Sequence, residues 1–191
     1  MEARITYFES KGKANTAEVL RLARQRAEQL GIGYVVLAST HGATALQAAR
    51  VFQGTKVRLT AVSISPSFED TGWAMSVEER TRVEAAGIRV LTGLHALADG
   101  VSEGMWAPTE GGATTGGIVA HTLRMFSQGM KVAVEVSLMA LEAGMVPPGA
   151  EIIAIGGTDE GADTAIVARP AFARKIKDYH ICEVLCKPRL G

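Results

Sequence analysis

The sequence predicts an α/β fold built on a mostly parallel sheet with helices over both faces. Two observations carry this. The short apolar runs 34–38, 57–64 and 151–155 are almost continuously Val, Ile, Leu and Ala, as in strands buried on both sides rather than half-solvated. Between such runs lie stretches with helical periodicity that end at Gly or Pro. At 191 residues the chain suits one domain spanning 1–191, with room for a sizeable core.

The elements follow in order. Residues 5–8 form a short first strand. Asn15 and Glu18 have the spacing of a capping box, and the helix they open carries a stripe of Leu20, Ala23, Ala27 and Leu30 before Gly31 closes it. A second strand, 34–38, leads to a helix over 44–52 and a third strand, 57–64. The loop 65–74 carries Pro66, Gly72 and an exposed Trp73. Ser76 and Glu79 form a second capping box, on a helix that Gly87 ends. Strand 88–91 precedes the segment 92–117, whose seven glycines and weak periodicity read as a functional or mobile loop containing Trp106. A helical region, 117–143, splits near Gly129 and stops at Pro147-Pro148-Gly149. Two further strands, 165–168 and 179–185, flank a short helical turn.

Composition limits the partners. Hydrophobic residues are 47% and charged residues 21% of the chain, as in ordinary globular proteins. Twenty basic side chains balance twenty acidic ones, so no global field draws nucleic acid or an anionic membrane. Aromatic residues are only 5%, which argues against base-stacking platforms. Cys182 and Cys186, four apart on a strand, would lie about 13 Å apart and could not bridge each other, so reduced thiols are expected. No signal-peptide core follows Met1-Glu2-Ala3-Arg4 and no run of apolar residues is long enough to span a bilayer. A cytoplasmic location is expected, without nucleic acid or membrane as partner; a homo-oligomer is left open.

The most informative stretch is Gly156-Gly157-Thr158-Asp159-Glu160-Gly161-Ala162-Asp163-Thr164, at the end of an apolar strand. Glycines let backbone N–H groups approach a ligand, and the carboxyl edge of an α/β sheet is a usual place to hold an anion. The spacing from Gly156 to Gly161 is that of a phosphate-binding P-loop, but Ala162-Asp163 stands where Lys and Ser or Thr belong, so a P-loop NTPase is not indicated. No G-x-G-x-x-G occurs. Asp163 could accept a hydrogen bond from a hydroxyl or ring N–H. A second cradle is Ser39-Thr40-His41-Gly42-Ala43-Thr44, where hydroxyls cluster at a helix start beside its positive dipole end. The same residues would serve equally to cap a helix and turn the chain.

The histidines are scattered, with no metal-ligand spacing. His41 and His95 fall at strand ends and could meet at the sheet edge; His121 and His180 read as structural. Arg124, Gln128, Lys131 and Glu135 form one polar stripe if the helix runs through Gly129. A solvated face is the ordinary reading, yet strongly apolar flanks would let the stripe face a site.

These residues together resemble the stand-alone pyruvate kinase C-terminal domain-like family. The resemblance runs over 5–187. It rests on Asn15-Thr16, on residues 38–45, on residues 122–132 with Glu135, on Gly156-Gly157-Thr158, on Gly161 to Ala165, and on Arg169-Pro170-Ala171. It implies a three-layer α/β/α sandwich. In pyruvate kinases the corresponding domain binds an effector phosphate on a hydroxyl-and-glycine loop, a role that maps here onto Ser39, Thr40, Gly42 and Thr44. The kinase's catalytic barrel has no counterpart in the sequence, so pyruvate kinase activity is not implied. Members of that family are generally of unknown function, and the resemblance implies an ability to bind flavin mononucleotide (FMN).

The expectation is therefore a small-molecule binding protein for a phosphorylated, nucleotide-like ligand such as FMN. Ser39, Thr40, Gly42 and Thr44 would hold the phosphate. Gly156, Gly157, Thr158, Gly161, Ala162, Asp163 and Thr164 would line the opposite wall, with His95, Arg124 and Lys131 as further polar groups. The alternatives are a flavin-dependent oxidoreductase or phosphotransfer enzyme using His95, Arg124, Lys131 and Glu135, or a regulatory or structural module.

Overall fold

The computed structural model describes residues 2–105 and 114–190. Its centre is a seven-stranded sheet of β1 (Thr6–Phe8), β2 (Tyr34–Ala38), β3 (Arg58–Ser63), β4 (Arg89–Thr92), β5 (Ile152–Gly156), β6 (Thr164–Arg169) and β7 (His180–Pro188) in the order β1-β7-β6-β5-β2-β3-β4. All neighbouring pairs are parallel except β5–β6 and β6–β7. The sheet is thus mostly parallel, with β6 running against the rest.

Side chains alternate across this sheet into two cores. Val35, Leu37, Ile153, Ile155, Ala165 and Val167 meet α1 (Thr16–Leu30), α2 (Ala43–Val51) and α3 (Val77–Ala85). Val36, Ile152, Ala154, Ile166 and Ala168 meet α5 (Thr115–Arg124) and α6 (Gln128–Glu142). This is the three-layer α/β/α sandwich expected. A short helix, α4 (Val101–Met105), precedes α5, so part of the segment read as a loop is helical. Trp106 and the expectation attached to it lie outside the described residues.

Several ends differ from expectation for local reasons. Asn15 does not cap α1: its side-chain amide donates to the Ser10 and Gly12 carbonyls, while Glu18 turns forward to Arg21. A 3-10 turn, Lys13–Asn15, leads into the helix instead. Leu30 is exposed, at the end of the stripe that buries Leu20, Ala23 and Ala27. The helical region breaks at residues 125–127 rather than Gly129, because the Ser127 side chain accepts from the Met130 N–H and caps α6. Gly129 lies inside α6. The second capping box forms as read, with reciprocal bonds between Ser76 and Glu79. Both cysteines are free; burial pushes the Cys186 thiol up to about 12.

Gly156 and Gly129 set how closely α6 lies on β5. A Cβ on Gly156 would stand 2.2 Å from the Gly129 carbonyl oxygen and 2.7 Å from the Ala133 nitrogen, both backbone atoms that cannot swing aside. Replacing Gly156 by Ala is therefore expected to cost on the order of 3 kcal/mol in chemical denaturation; an unchanged midpoint would contradict this packing.

The Glu79 carboxyl is held below its ordinary value of 4.5, chiefly by the Ser76 N–H and also by His41. A depressed folded-state value means stability that is present above the ordinary value and lost as pH falls through the depressed one. The stability gap between wild type and Glu79→Gln should be fully present above the ordinary carboxyl value of 4.5 and close as pH falls below it through the depressed one. A gap that widens in acid would contradict the assignment.

Candidate functional site

Every parallel strand ends at one edge, so the loops after β1, β2, β3 and β4 and the β5–β6 turn gather there. β2 and β5 are direct neighbours, with Leu37 opposite Ile155. Loop 39–42 and turn 157–163 therefore start side by side on one rim. His41 also contributes to holding the Glu160 carboxyl below its usual range, after the larger effect of its hydrogen-bonded partner Lys13.

The first loop is built as a helix start. Gly42 takes a φ of 83°, which only glycine adopts freely, and a Cβ there would meet Val83 of α3 at 2.5 Å. The Ser39 hydroxyl is buried and accepts from the Ala45 N–H at 3.2 Å. Ser39 thus supports the loop from within. Thr44 is buried, whereas Thr40 is half-buried and His41 and Ala43 are exposed. His41 contacts Glu79 through Nδ1 at 3.2 Å.

The turn proves to be packed chiefly against its own protein. A Cβ on Gly161 would stand 2.5 Å from both Lys13 Cα and Thr16 Oγ1, and one on Gly157 would stand 2.3 Å from the Gly161 carbonyl. The glycines admit neighbouring chain. The Ala162 N–H donates to Thr16 Oγ1 at 3.0 Å. Asp163 is fully buried and accepts from the Gly12 N–H at 2.9 Å and the Thr164 hydroxyl at 2.8 Å. Thr164 spends its proton on Asp163, so Ser127 donates to Thr164 across 3.0 Å. Ala162, Asp163 and Thr164 are inside; Gly157, Thr158 and Gly161 are half-buried and Asp159 and Glu160 exposed at the rim. The hydroxyl partner foreseen for Asp163 is its own neighbour.

The polar stripe is not a solvated face. Arg124 ends α5 and Gln128 begins α6, joined by a 2.8 Å hydrogen bond from Arg124 Nε. Lys131 and Glu135 are 3% and 2% exposed and pair with each other. Glu135 Oε1 also accepts the Leu97 N–H at 3.0 Å, tying the loop after β4 to α6. His95 lies in that loop with Nδ1 on Asp99 and its ring 6.1 Å from the Phe68 ring. His41 and His95 share the rim but not a contact: β3 separates their strands, and each has its own carboxylate. His121 and His180 are exposed.

Sequence reasoning missed Gly12, Thr16, Ser127, Phe68 and Asp99. Ser127 had a signal, a Ser just ahead of an apolar helical run. Gly12, whose N–H meets Asp163, lies 151 positions away in sequence and had none.

Among the described residues no group of three His, Cys, Asp or Glu could hold a metal ion, and no helix is long and apolar enough to cross a membrane. Two shallow grooves of about 360 and 490 Å³ flank β4, the larger lined by Ile88, Arg89 and Met145. Neither includes the two rim loops. What the rim offers is an open polar surface on which α2 starts, with the starts of α1 and α6 packed against the β5–β6 turn.

Removing one member of the Lys131–Glu135 pair strands the other charge in the core. Lys131→Met should cost about 3–5 kcal/mol, and Lys131→Met with Glu135→Gln should cost less, because Gln still accepts the Leu97 N–H. Urea denaturation of both variants checks this; a double variant weaker than the single would refute it.

Among solved structures the chain is similar to pyruvate kinases of Cryptosporidium parvum. One shows 13% identity and a TM-score of 0.43, and another, in complex with ADP, 14% identity and 0.43. A third shows 12% identity and a TM-score of 0.41. Each match covers 85% of this chain and 24 to 25% of the enzyme, so the chain spans about a quarter of their length. The family model described as pyruvate kinase, alpha/beta domain, matches residues 17–168, and the chain belongs to that family.

Proposed function

We propose that this protein binds a phosphorylated small molecule at the carboxyl edge of the sheet, with FMN as the specific candidate. The observation that carries the reading is the placement of loop 39–42 and turn 157–163 on neighbouring parallel strands. At that point α2 directs its first N–H groups and its positive dipole end outward, beside the half-buried Thr40. Gly42 sets the entry angle of the helix. Thr44 and Ser39 hold the loop's shape from the buried side.

On the opposite wall, Thr158 and the backbone of Gly157 and Gly161 are the parts of the turn that a ligand can reach. Gly156, Ala162, Asp163 and Thr164 act behind them by fixing the turn. Lys13, exposed and paired with Glu160, is the nearest cation to the turn. Exposed pairs of this kind are worth at most about 1 kcal/mol, so Lys13 can exchange Glu160 for a ligand phosphate at little cost. His95, Arg124 and Lys131 sit farther along the rim or beneath it; Lys131 is committed to Glu135.

FMN titration followed by flavin fluorescence tests the reading. Saturable quenching is expected, with inorganic phosphate competing, and Thr40→Val should weaken both by about tenfold, the loss of one hydrogen bond to a charged group. No quenching at high FMN combined with no competition-free binding of inorganic phosphate would overturn it.

A further inference from the structure

We propose that His95 and Asp99 form an acid–base dyad, a second chemical site on the same rim, in which imidazole Nε2 takes a proton from the hydroxyl of a small molecule or of water lodged beside Phe68. The dyad stands apart from the anion-binding reading, since it lies beyond β3 at the end of β4 and needs no phosphate.

The geometry is imposed rather than incidental. Asp99 follows His95 by four residues in a loop, not a helix, and reaches Nδ1 with its own backbone at a φ of 63°. Among non-glycine residues Asp and Asn enter that region most readily, and the turn made there brings the carboxylate back onto His95. Two groups hold it here. Leu97, between the partners, is buried, and its N–H is fixed by Glu135, a buried carboxylate itself paired with buried Lys131. On the other side the Phe68 ring lies tilted by 31° against the imidazole.

The chemistry follows from the contact. An ionised carboxylate only accepts, so Nδ1 carries the proton, and in the neutral ring Nε2 is the nitrogen left with the lone pair. The His95 side chain is 23% exposed, enough to touch a small molecule while shedding much of its water. In the step proposed, the O–H bond of water or an alcohol breaks, its proton goes to Nε2, and the oxygen uses the electron pair to bond to the carbonyl carbon of an ester, whose C–O bond to its own alcohol then breaks to free the leaving group. The positive charge gained by the ring faces Asp99, a positioning residue, and the ring later returns the proton to the leaving group. The substrate class is a hydroxyl-bearing or ester-bearing small molecule.

Diethyl pyrocarbonate tests the lone pair, because an unprotonated ring nitrogen forms the N–C bond as ethyl carbonate leaves. His41, His121 and His180 are exposed, so access alone would make half-buried His95 the slowest of the four. The dyad predicts that peptide mapping finds His95 modified about tenfold faster than the others, and that Asp99→Asn abolishes this lead without changing the melting temperature. Nitrogen NMR should show Nε2 of His95 without a proton, and the signature should shift in Asp99→Asn. Hydrolysis of p-nitrophenyl acetate should fall by about a hundredfold in His95→Gln. Slow modification of His95, a protonated Nε2, or equal hydrolysis by His95→Gln would each overturn the proposal.

Discussion

The buried carboxylate of Asp163 is the constraint around which the functional edge is organised. Among the described residues none of its hydrogen-bond partners is a cation. The Gly12 N–H and the Thr164 hydroxyl meet it directly, and Gly129 in the first turn of α6 lies so close that a Cβ would stand 2.3 Å from Oδ1. The positive end of α6 therefore faces the charge. Burying an ion costs several kcal/mol, and each hydrogen bond to a charged group returns about 1.5–3 kcal/mol. The two terms nearly cancel. Asp163 adds little net stability, but it brings the β1–α1 segment, the β5–β6 turn and the start of α6 to one point, because each supplies a donor or a dipole to its carboxylate.

The second anchored group repeats this logic across the rim. Lys131 and Glu135 sit in a helix that is buried nearly all round, and their contact with the Leu97 N–H locks the loop after β4. Between these anchors the rim keeps features that packing does not require: an outward helix start at α2, the reachable Thr158, and a histidine aimed by a carboxylate. A rigid base beneath exposed polar groups is the arrangement that positions a ligand without paying to order the site first.

The layers were legible in the sequence because they follow from local patterns. The unbroken apolar runs of β2 and β5 predict a sheet covered on both faces, and the Ser76–Glu79 spacing predicts a cap that forms. Where the reading erred, long-range contacts overrode a local signal. Asn15 had the right residue and spacing for a cap, but the segment ahead of α1 is held by the β5–β6 turn, which leaves the helix to begin from a 3-10 turn. The glycines of that turn were read as room for a ligand; Gly161 admits Lys13 and Thr16, nearly 150 positions away in the chain, Gly157 admits the turn's own backbone and Gly156 admits α6. The polar stripe was read as a solvated face or, between its apolar flanks, as one turned to a site, and the Leu97 N–H that makes the burial of Glu135 tolerable cannot be seen in a helical periodicity. The dyad was half visible: His95 stood out, while Asp99 gains meaning only from its backbone conformation.

The central claim is that loop 39–42 and turn 157–163, brought together on adjacent strands, form one anion-accepting surface. Backbone amide NMR during titration with inorganic phosphate tests it most directly. The account predicts saturable shifts in the Ala43 and Thr44 amides together with Thr158, all with a single affinity. Shifts confined to one loop, or centred on the exposed lysines of 174–178, would contradict it.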